Sequence, residues 1–349
     1  MICYRDLTAA AGEAAAGPPR AAAIGFFDGL HAGHRRLLEE LRSWALERGA
    51  EPAVVTFDRH PQEVLRGRGP PRILSLRHRL VLLAREGVAA ALVLSFDREM
   101  ATWSPEEFVE RVCRRGLGAR HLLFGFDSAF GRDRRGTFAY VSGFAPQAGL
   151  EVRQASPVRA GDERVSSTLV REALVAGDLS RLRDLLGRDY AVLGRVVRGD
   201  GRGKALGFPT ANLDLEGAST PPGGVYFAEA RVLGREGSEP APLERRRVEI
   251  PAEAGAGPSF GAVANLGVRP TFQRGVPAGT AASLEVHLLG AEGDLYGSFV
   301  EVSFLERHRP ELRFGDPESL KAQIRADLEA YRAFRARRAA SDAVSRKDT

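Results

Sequence analysis

Two histidines, His31 and His34, stand three residues apart just after a glycine-bearing turn, Asp28-Gly29-Leu30. An apolar run from Ala21 to Phe27, typical of a buried strand, precedes the turn, and leucines at helical spacing follow it. Free amides at such a helix start bind phosphate, and two imidazoles there can donate to charge that develops at an attacked phosphorus. A surface pair is the alternative, and a metal site is disfavoured because no cysteine or acidic ligand stands at metal-site spacing.

A second chemically dense stretch is Gly199 to Leu215, GDGRGKALGFPTANLDL. Thr210 and Asn212 are two residues apart, so in an extended chain their side chains face the same way. Hard oxygen ligands of this kind suit Mg²⁺ that is bound together with substrate phosphates. A turn or capping role for both residues is the alternative.

Glu285 is the candidate proton acceptor in this half. In SLEVHL the alternation places Leu284, Val286 and Leu288 on one face and Glu285 on the other, so the carboxylate is not forced into an apolar core. It can take a proton from an attacking hydroxyl. A merely solvated glutamate fits the same pattern.

Alternating strands and helices position the first of these sites. We predict strands at 52–57, 89–95, 120–125 and 151–154, and helices at 76–86, from the N-cap Ser104 to Gly116, and after Ser166-Ser167-Thr168, with a loop at 9–19. This order predicts an α/β domain with a parallel sheet and right-handed crossovers. Ligands in such sheets lie beyond the carboxyl ends of the strands.

The pattern changes near Gly187. From Tyr190, short period-two runs separated by glycine and proline predict an antiparallel barrel or sandwich. We therefore place domains at 1–186 and 187–334, with a loop at 237–258, a closing helix capped by Asp316, and a basic, disordered tail at 335–349.

Composition excludes several classes. The chain has 349 residues, which favours two domains, and 44% apolar and 27% charged residues exclude a fibrous or wholly disordered protein. The net charge of +5 permits an acidic partner, but the charges are dispersed and no nucleic-acid-binding pattern accompanies them. Two isolated cysteines and no signal or membrane segment indicate a cytoplasmic protein, which we expect to be a monomer or weak homo-oligomer.

The motifs together resemble a known family. GFFDGLHAGH is similar to the nucleotidylyltransferase signature, and TFDRHP, FGFDSAFG and VSSTLVR follow in the order found in the adenylyltransferase half of bacterial bifunctional riboflavin kinase/FAD synthetases. GFPTANL, GVY, NLGVRPTF, LEVHLL and DLYG resemble the riboflavin kinase half. The resemblance implies an N-terminal Rossmann-like nucleotidylyltransferase domain and a C-terminal six-stranded Greek-key β-barrel with a closing helix.

For the first half, the resemblance implies adenylyl transfer from ATP to FMN, giving FAD and pyrophosphate, with no protein nucleophile. His31, His34 and Arg171 would be catalytic, and Asp127 and Phe130 would bind the flavin. The implied ATP-binding residues are Gly25, Phe27, Asp28, Gly29, His31, His34, Ser166, Ser167, Thr168 and Arg171.

For the second half, it implies phosphorylation of riboflavin to FMN by MgATP. Glu285 would be the base on the ribityl 5′-hydroxyl, and Thr210 and Asn212 would bind Mg²⁺. The implied ATP-binding residues are Gly201, Gly203, Lys204, Gly207, Pro209, Thr210 and Asn212. The expected partners are therefore riboflavin, FMN and ATP, with neither nucleic acid nor membrane among them.

Four positions depart from the family pattern. Phe26 replaces an asparagine beside the phosphates, Arg59 a proline, Ser128 a phenylalanine, and His308 an aliphatic residue for which we expect only a packing adjustment. Because of Phe26, one alternative is a riboflavin kinase whose adenylyltransferase half is impaired. A remoter alternative is a flavin- or nucleic-acid-binding regulator that uses the basic tail.

Overall fold

A computed structural model of the chain describes residues 1–161, 163–199, 203, 206–234, 245–250, 257–268 and 282–345. They fall into two compact units. The first comprises Met1–Arg188, Gly217–Ser219 and the described residues of 239–256, and the second comprises the remainder. The predicted 237–258 loop therefore lies partly outside the described residues.

The first unit is an α/β domain built on a seven-stranded sheet in the order β12-β1-β4-β3-β2-β5-β6. Its strands are β1 (Ile2–Tyr4), β2 (Arg20–Ile24), β3 (Glu51–Phe57), β4 (Ala90–Leu94), β5 (Ala119–Phe124), β6 (Glu151–Gln154) and β12 (Arg247–Glu249), with a separate hairpin of β7 (Arg159–Ala160) and β8 (Glu163–Arg164). Its helices are α1 (Leu7–Ala14), α2 (Ala32–Glu47), α3 (Pro61–Arg66), α4 (Leu76–Arg85), α5 (Pro105–Phe108) continued by a π-helix (Val109–Gly116), α6 (Phe138–Phe144), α7 (Ser167–Ala176) and α8 (Leu179–Leu186). All pairings from β1 to β6 are parallel, which confirms the predicted parallel sheet.

The N-terminal segment differs from its prediction. Residues 9–19 were predicted to be a loop, but α1 occupies Leu7–Ala14, and Asp6 caps it by accepting from the Ala9 amide at 2.7 Å. Small alanines obscured the helical period because only Ala10 in α1 is buried. The short strand β1, which the sequence pattern also missed, pairs with β4 at the edge of the sheet.

The other side of β1 pairs with a strand from far along the chain. β12 runs antiparallel to it, with Ile2 opposite Glu249 and Tyr4 opposite Arg247. Met1 and Ile250 extend the pairing, each donating its backbone nitrogen to the other's carbonyl at 2.7 Å. Part of the predicted loop thus covers an edge that would otherwise present unpaired backbone groups.

The second unit is a closed antiparallel barrel in the order β10-β14-β13-β11-β15-β9, as the resemblance implied. Its strands are β9 (Ala191–Val197), β10 (Ala211–Asp214), β11 (Gly224–Gly234), β13 (Ser259–Val268), β14 (Ala282–Leu288) and β15 (Phe299–Arg309). Alternation along β14 buries Leu284, Val286 and Leu288 and leaves Glu285 and His287 partly exposed.

The last helix, α9 (Pro317–Ser345), packs on the barrel. Asp316 caps it as predicted by accepting from the Ser319 amide at 2.8 Å. Tyr331 and Phe334 pack against Phe227 of β11, with ring centroids 5.5 and 5.2 Å away. The helix continues through Arg335 to Ser345, so the prediction of a disordered tail is wrong for these residues, which extend α9 without adding apolar periodicity.

No helix in the described ranges is both long enough and apolar enough to cross a membrane.

Phe227 offers a test of how α9 is held. Phe227→Ala should lower the free energy of unfolding of the barrel by about 3–5 kcal/mol, because it removes a buried ring and leaves a cavity under α9. Phe227 is 2% exposed, whereas the control Tyr296→Ala removes a ring that is 56% exposed and should change stability little. Calorimetric melting of both variants checks this, and equal shifts would contradict the packing role.

Candidate active sites

The turn between β2 and α2 carries an unusual backbone. Phe27, Gly29 and Leu30 have φ angles of +55°, +82° and +41°. Only glycine adopts such angles without strain, so the two larger residues must be held by their surroundings. Both are 1% exposed and packed in the core.

The buried carboxylate of Asp28 fixes this turn. It accepts from the amides of Ile73 and Leu74 at 3.0–3.1 Å and from Arg171 Nη2 at 2.6 Å. Arg171 Nε also donates to the Pro71 carbonyl at 2.7 Å. The resemblance implied that Asp28 and Arg171 contact ATP, but the structure pairs them with each other and with the 71–74 segment.

Two further arginines, which the sequence pattern missed, hold the backbone at this turn and beside it. Arg188 donates to the carbonyls of Gly29 and Leu30 at 2.9 and 3.0 Å. Arg79 donates to the carbonyls of Phe26 at 2.7 Å and Phe57, at the ends of β2 and β3. The only sequence signal for Arg79 was a cation on the apolar face of a predicted helix, three residues after Leu76 and four before Leu83.

His31 and His34 meet at the start of α2. His31 is the N-cap, and its Nδ1 accepts from the His34 amide at 3.3 Å. Because Nδ1 is an acceptor, the proton of neutral His31 lies on Nε2, which becomes a donor. The two imidazoles stack with centroids 3.7 Å apart and planes 16° from parallel.

Both histidines are held neutral near pH 7. Burial is the main cause that lowers the pKa of His31 from 6.5 to about 4, and nearby Arg188 lowers it further. Burial likewise lowers the pKa of His34, and the neighbouring His31 and Arg79 add to this. His34 Nδ1 is buried and has no hydrogen-bond partner among the described residues. The pair therefore provides neutral donors rather than fixed cations.

A cavity of about 230 Å³ opens in front of these rings. Seven predicted site residues line it: Gly25, Phe27, His31, His34, Asp127, Ser166 and Ser167. Five others do not line it: Asp28, Gly29, Phe130, Thr168 and Arg171. Ser166 caps α7, accepting from the Leu169 amide at 3.4 Å, and Ser167 Oγ donates to the Asp28 carbonyl at 2.9 Å.

The two residues predicted to bind the flavin lie in different places. Asp127 lines the cavity and pairs with Arg164 at 2.9 Å. Phe130 lies in the core between Phe108 and Phe124, with ring centroids 4.9 and 5.7 Å away, and it is 8% exposed. Its aromatic ring therefore packs in the core of the domain and does not line the cavity.

Phe26, the most consequential departure from the family pattern, does not line the cavity. Its ring packs edge-on to His60 at 5.0 Å, and the Arg79 guanidinium lies 4.4 Å from its centroid. Its backbone carbonyl still accepts from Thr56 Oγ1 at 3.2 Å. The Phe26 ring therefore packs beside the turn and is not among the side chains that line the cavity with the two histidines.

The second unit has its own cavity, of about 430 Å³. Three polar residues share one rung across its wall, because Glu285 of β14 is paired with Asn212 of β10 on one side and Asn265 of β13 on the other. Directly opposed residues of this kind have Cβ atoms roughly 4.5–5.5 Å apart. Asn265 was missed as a site residue, since only cross-strand register brings it beside Glu285.

Glycines let the loop before β10 approach these residues. A Cβ on Gly199 would lie 2.2 Å from Asn212 Nδ2, and one on Gly203 would lie 2.5 Å from the Phe208 carbonyl oxygen. Gly203, Thr210 and Asn212 line the cavity.

The other predicted residues of this loop have different outcomes. Gly207 and Pro209 do not line the cavity. Gly201 and Lys204 lie outside the described residues.

Helix α9 and the end of β15 form another part of the wall. Arg309 pairs through two hydrogen bonds, 2.9 and 2.7 Å long, with the buried carboxylate of Asp327. His308 stacks on Phe227 at 4.5 Å, and its Nε2 lies 3.4 Å from Asp327 Oδ1. The expected packing adjustment at His308 thus comes with a polar contact that the sequence did not reveal.

Comparison with known proteins gives one family for both halves. A family model described as FAD synthetase matches residues 14–169, and one described as riboflavin kinase matches residues 186–335. Proteins named bifunctional riboflavin kinase/FMN adenylyltransferase from Pseudomonas fluorescens and Escherichia coli K12 are 38% and 36% identical. These matches cover 90% and 89% of this chain, and 93% and 91% of the relatives.

A solved structure shares the fold. It is described as a macrolide-efflux protein from Streptococcus pneumoniae, and it matches with a TM-score of 0.71 and 29% identity, over 90% of this chain and 95% of that one. The similarity extends across both units.

The burial of His31 predicts a pH-dependent stability. Its pKa is about 4 in the folded chain and 6.5 when unfolded, so the unfolded state binds more protons between these values. The contribution of His31 to the stability of the first unit should be full above pH 6.5 and fall by about 3 kcal/mol as the pH drops towards 4, and the lowered pKa of His34 adds a loss of the same sign. Denaturant unfolding of wild type and His31→Asn at pH 7, 6 and 5 measures this. An identical slope in the variant would contradict the assignment.

Proposed function

The chain belongs to the family of bifunctional riboflavin kinase/FMN adenylyltransferases, and we propose which residues of each unit carry out its two reactions. The first unit transfers the adenylyl group of ATP to FMN, and the second phosphorylates riboflavin with ATP. The observation that carries the proposal is that one chain contains two different sites. The first has two stacked neutral histidines at the start of a helix, and the second has a glutamate between two asparagines on the wall of a barrel.

In adenylyl transfer, an oxygen of the FMN phosphate attacks the α-phosphorus of ATP, and the bond to pyrophosphate breaks. The amides at the start of α2 and the His31 Nε2–H donate hydrogen bonds to the charge that grows on the phosphoryl oxygens. Neutral donors suit this task, because they need no proton uptake at pH 7. Asp28 and Arg171 act as positioning residues that hold the turn, while Ser166 and Ser167 line the cavity beside it.

In the kinase reaction, Glu285 accepts the proton of the ribityl 5′-hydroxyl as that oxygen attacks the γ-phosphorus of ATP. ADP is the leaving group and FMN the product. Asn212 and Asn265 flank Glu285 on the same rung and restrict where the carboxylate can lie. Thr210 and Asn212 contribute the hydroxyl and amide oxygens nearest the glycine loop.

The donor set around Thr210 and Asn212 fits Mg²⁺. Hydroxyl, amide and carboxylate oxygens are hard ligands, and Mg²⁺ keeps waters and substrate phosphates in its remaining positions. Within the described residues no three His, Cys, Asp or Glu side chains group as a metal cage, so the protein share of such a site would be small. When bound, Mg²⁺ would neutralise phosphate charge.

Phe26 bears on the kinase-only alternative. Since its ring faces His60 and Arg79 rather than the cavity, the substitution leaves the donors of the first site in place. This favours two active sites over one.

We further propose a boundary at 186/187, a cytoplasmic location, and a monomer or weak homo-oligomer that binds no nucleic acid. The free, buried thiols of Cys3 and Cys113 support a reducing compartment. Size-exclusion chromatography with light scattering measures the oligomeric state.

The direct test is a chromatographic assay of purified protein with MgATP, offered riboflavin in one tube and FMN in another. We expect FMN and then FAD in the first tube and FAD in the second. Accumulation of FMN without FAD in either tube would leave only the kinase proposal standing.

Glu285→Gln separates the two reactions. It should reduce FMN formation by at least about 10²-fold, because the base is lost while shape and hydrogen bonding are kept. FAD formation from supplied FMN should stay at the wild-type rate, which also serves as the folding control. Loss of both activities in a folded variant would contradict the two-site assignment.

Two variants of His31 distinguish its role as the N-cap of α2 from its role as a hydrogen-bond donor through Nε2. His31→Asn keeps an N-cap acceptor but has no group at the Nε2 position, so FAD formation should fall by about 10²–10³-fold. His31→Gln restores a donor near the Nε2 position and should retain more activity, at a stability cost of about 1 kcal/mol for the weakened cap. FAD synthesis rates and melting temperatures of both variants check this, and the reverse order of activities would contradict the donor role.

A further inference from the structure

We propose that His287 is a positioning residue of the kinase site, which locks the Pro209-Thr210 segment to the strand that carries Glu285. His287 Nδ1 lies 2.8 Å from the Pro209 carbonyl oxygen, and both His287 and Thr210 line the cavity. The inference deepens the function proposed above and rests on it. Neither the family resemblance nor the alternation of β14 assigns a role to this side chain.

The contact fixes the protonation of the ring. A carbonyl oxygen can only accept, so Nδ1 must be the donor and must carry a proton. In neutral imidazole, Nε2 is then unprotonated, the opposite tautomer from that of His31. The histidine thus has one defined orientation, set by a backbone group rather than by a side chain that could move away.

The Pro209 carbonyl, which accepts this hydrogen bond, lies directly beside the proposed Mg²⁺ ligands. Pro209 directly precedes Thr210, and Asn212 follows two residues later on β10, opposite Glu285. Phe208 contacts the edge of the His287 ring, with centroids 6.1 Å apart. The histidine therefore connects the segment before β10 to β14, next to the first residues of β10 that pair with β14.

Gly203 lies against the same segment. Phe208 N donates to the Gly203 carbonyl at 2.8 Å, and a Cβ on Gly203 would lie 3.0 Å from Thr210 Oγ1. A shift of the Pro209 carbonyl would move Phe208 and Thr210 together, and Gly203 with them. His287 and Glu285 are two residues apart on one face of β14, so one strand sets both the base and the support of the phosphate-binding segment.

Two carboxamide variants test the proposal. The asparagine amide nitrogen reproduces the position of Nδ1, whereas the glutamine amide nitrogen reproduces that of Nε2. His287→Asn should keep the bond to Pro209 and stay within about threefold of wild-type kcat/KM for MgATP, whereas His287→Gln should lose about tenfold, corresponding to one hydrogen bond. The apparent affinity for MgADP should fall by the same factor in His287→Gln.

A spectroscopic readout separates this from a merely structural role. Long-range ¹H–¹⁵N correlation spectra of the full chain, with His287→Asn used to assign the signal, should show that the neutral ring of His287 carries its proton on Nδ1 and not on Nε2. The Nε2–H tautomer, or equal kcat/KM for the asparagine and glutamine variants, would overturn the proposal.

The other reaction of the same chain is the control. FAD formation from FMN should be unchanged in both variants, because the first site is built from a separate unit. If wild-type protein formed no FMN from riboflavin, the proposed kinase function would fail. If wild type is active and both variants match it, only the role of His287 fails.

Discussion

The first active site depends on the hydrogen bonds that the buried carboxylate of Asp28 accepts. This carboxylate joins the turn after β2 to the amides of Ile73 and Leu74 and to Arg171 of α7. A buried carboxylate is costly unless its oxygens are satisfied, and these three donors satisfy them. With the turn fixed, strained backbone at Phe27 and Leu30 is tolerated, and α2 begins at Ala32 after the N-cap His31, with Gly33 and His34 also lining the cavity.

In the barrel, the register of strand pairing positions the site residues. Closure places β14 between β10 and β13, which puts Glu285 on a rung with two asparagines. A slip of one residue would turn the carboxylate into the apolar interior. Valine and leucine on the alternate face resist that slip, so the same hydrophobic burial that closes the barrel also fixes where the base points.

Several elements could be predicted from local sequence because their causes are local. The capping box of Ser104 and Glu107 and the N-cap Asp316 are complete within four residues, and both formed as expected. The predictions of a loop at 9–14 and of a disordered tail at 335–345 failed for the converse reason. Neither sequence has a clear apolar period. The helix at the N-terminus depends on packing, and residues 335–345 are helical because they continue the preceding part of α9.

The sequence by itself determined the residue types, the parallel and antiparallel halves, and the resemblance that pointed to both reactions. Only the tertiary structure decided that Phe26 turns to His60, that Phe130 packs the core, and that Arg171 pairs with Asp28. It also brought Asn265 and His287 to the kinase cavity. Spacing along a chain encodes faces of one element, whereas these outcomes depend on contacts between elements distant in sequence, which no local pattern records.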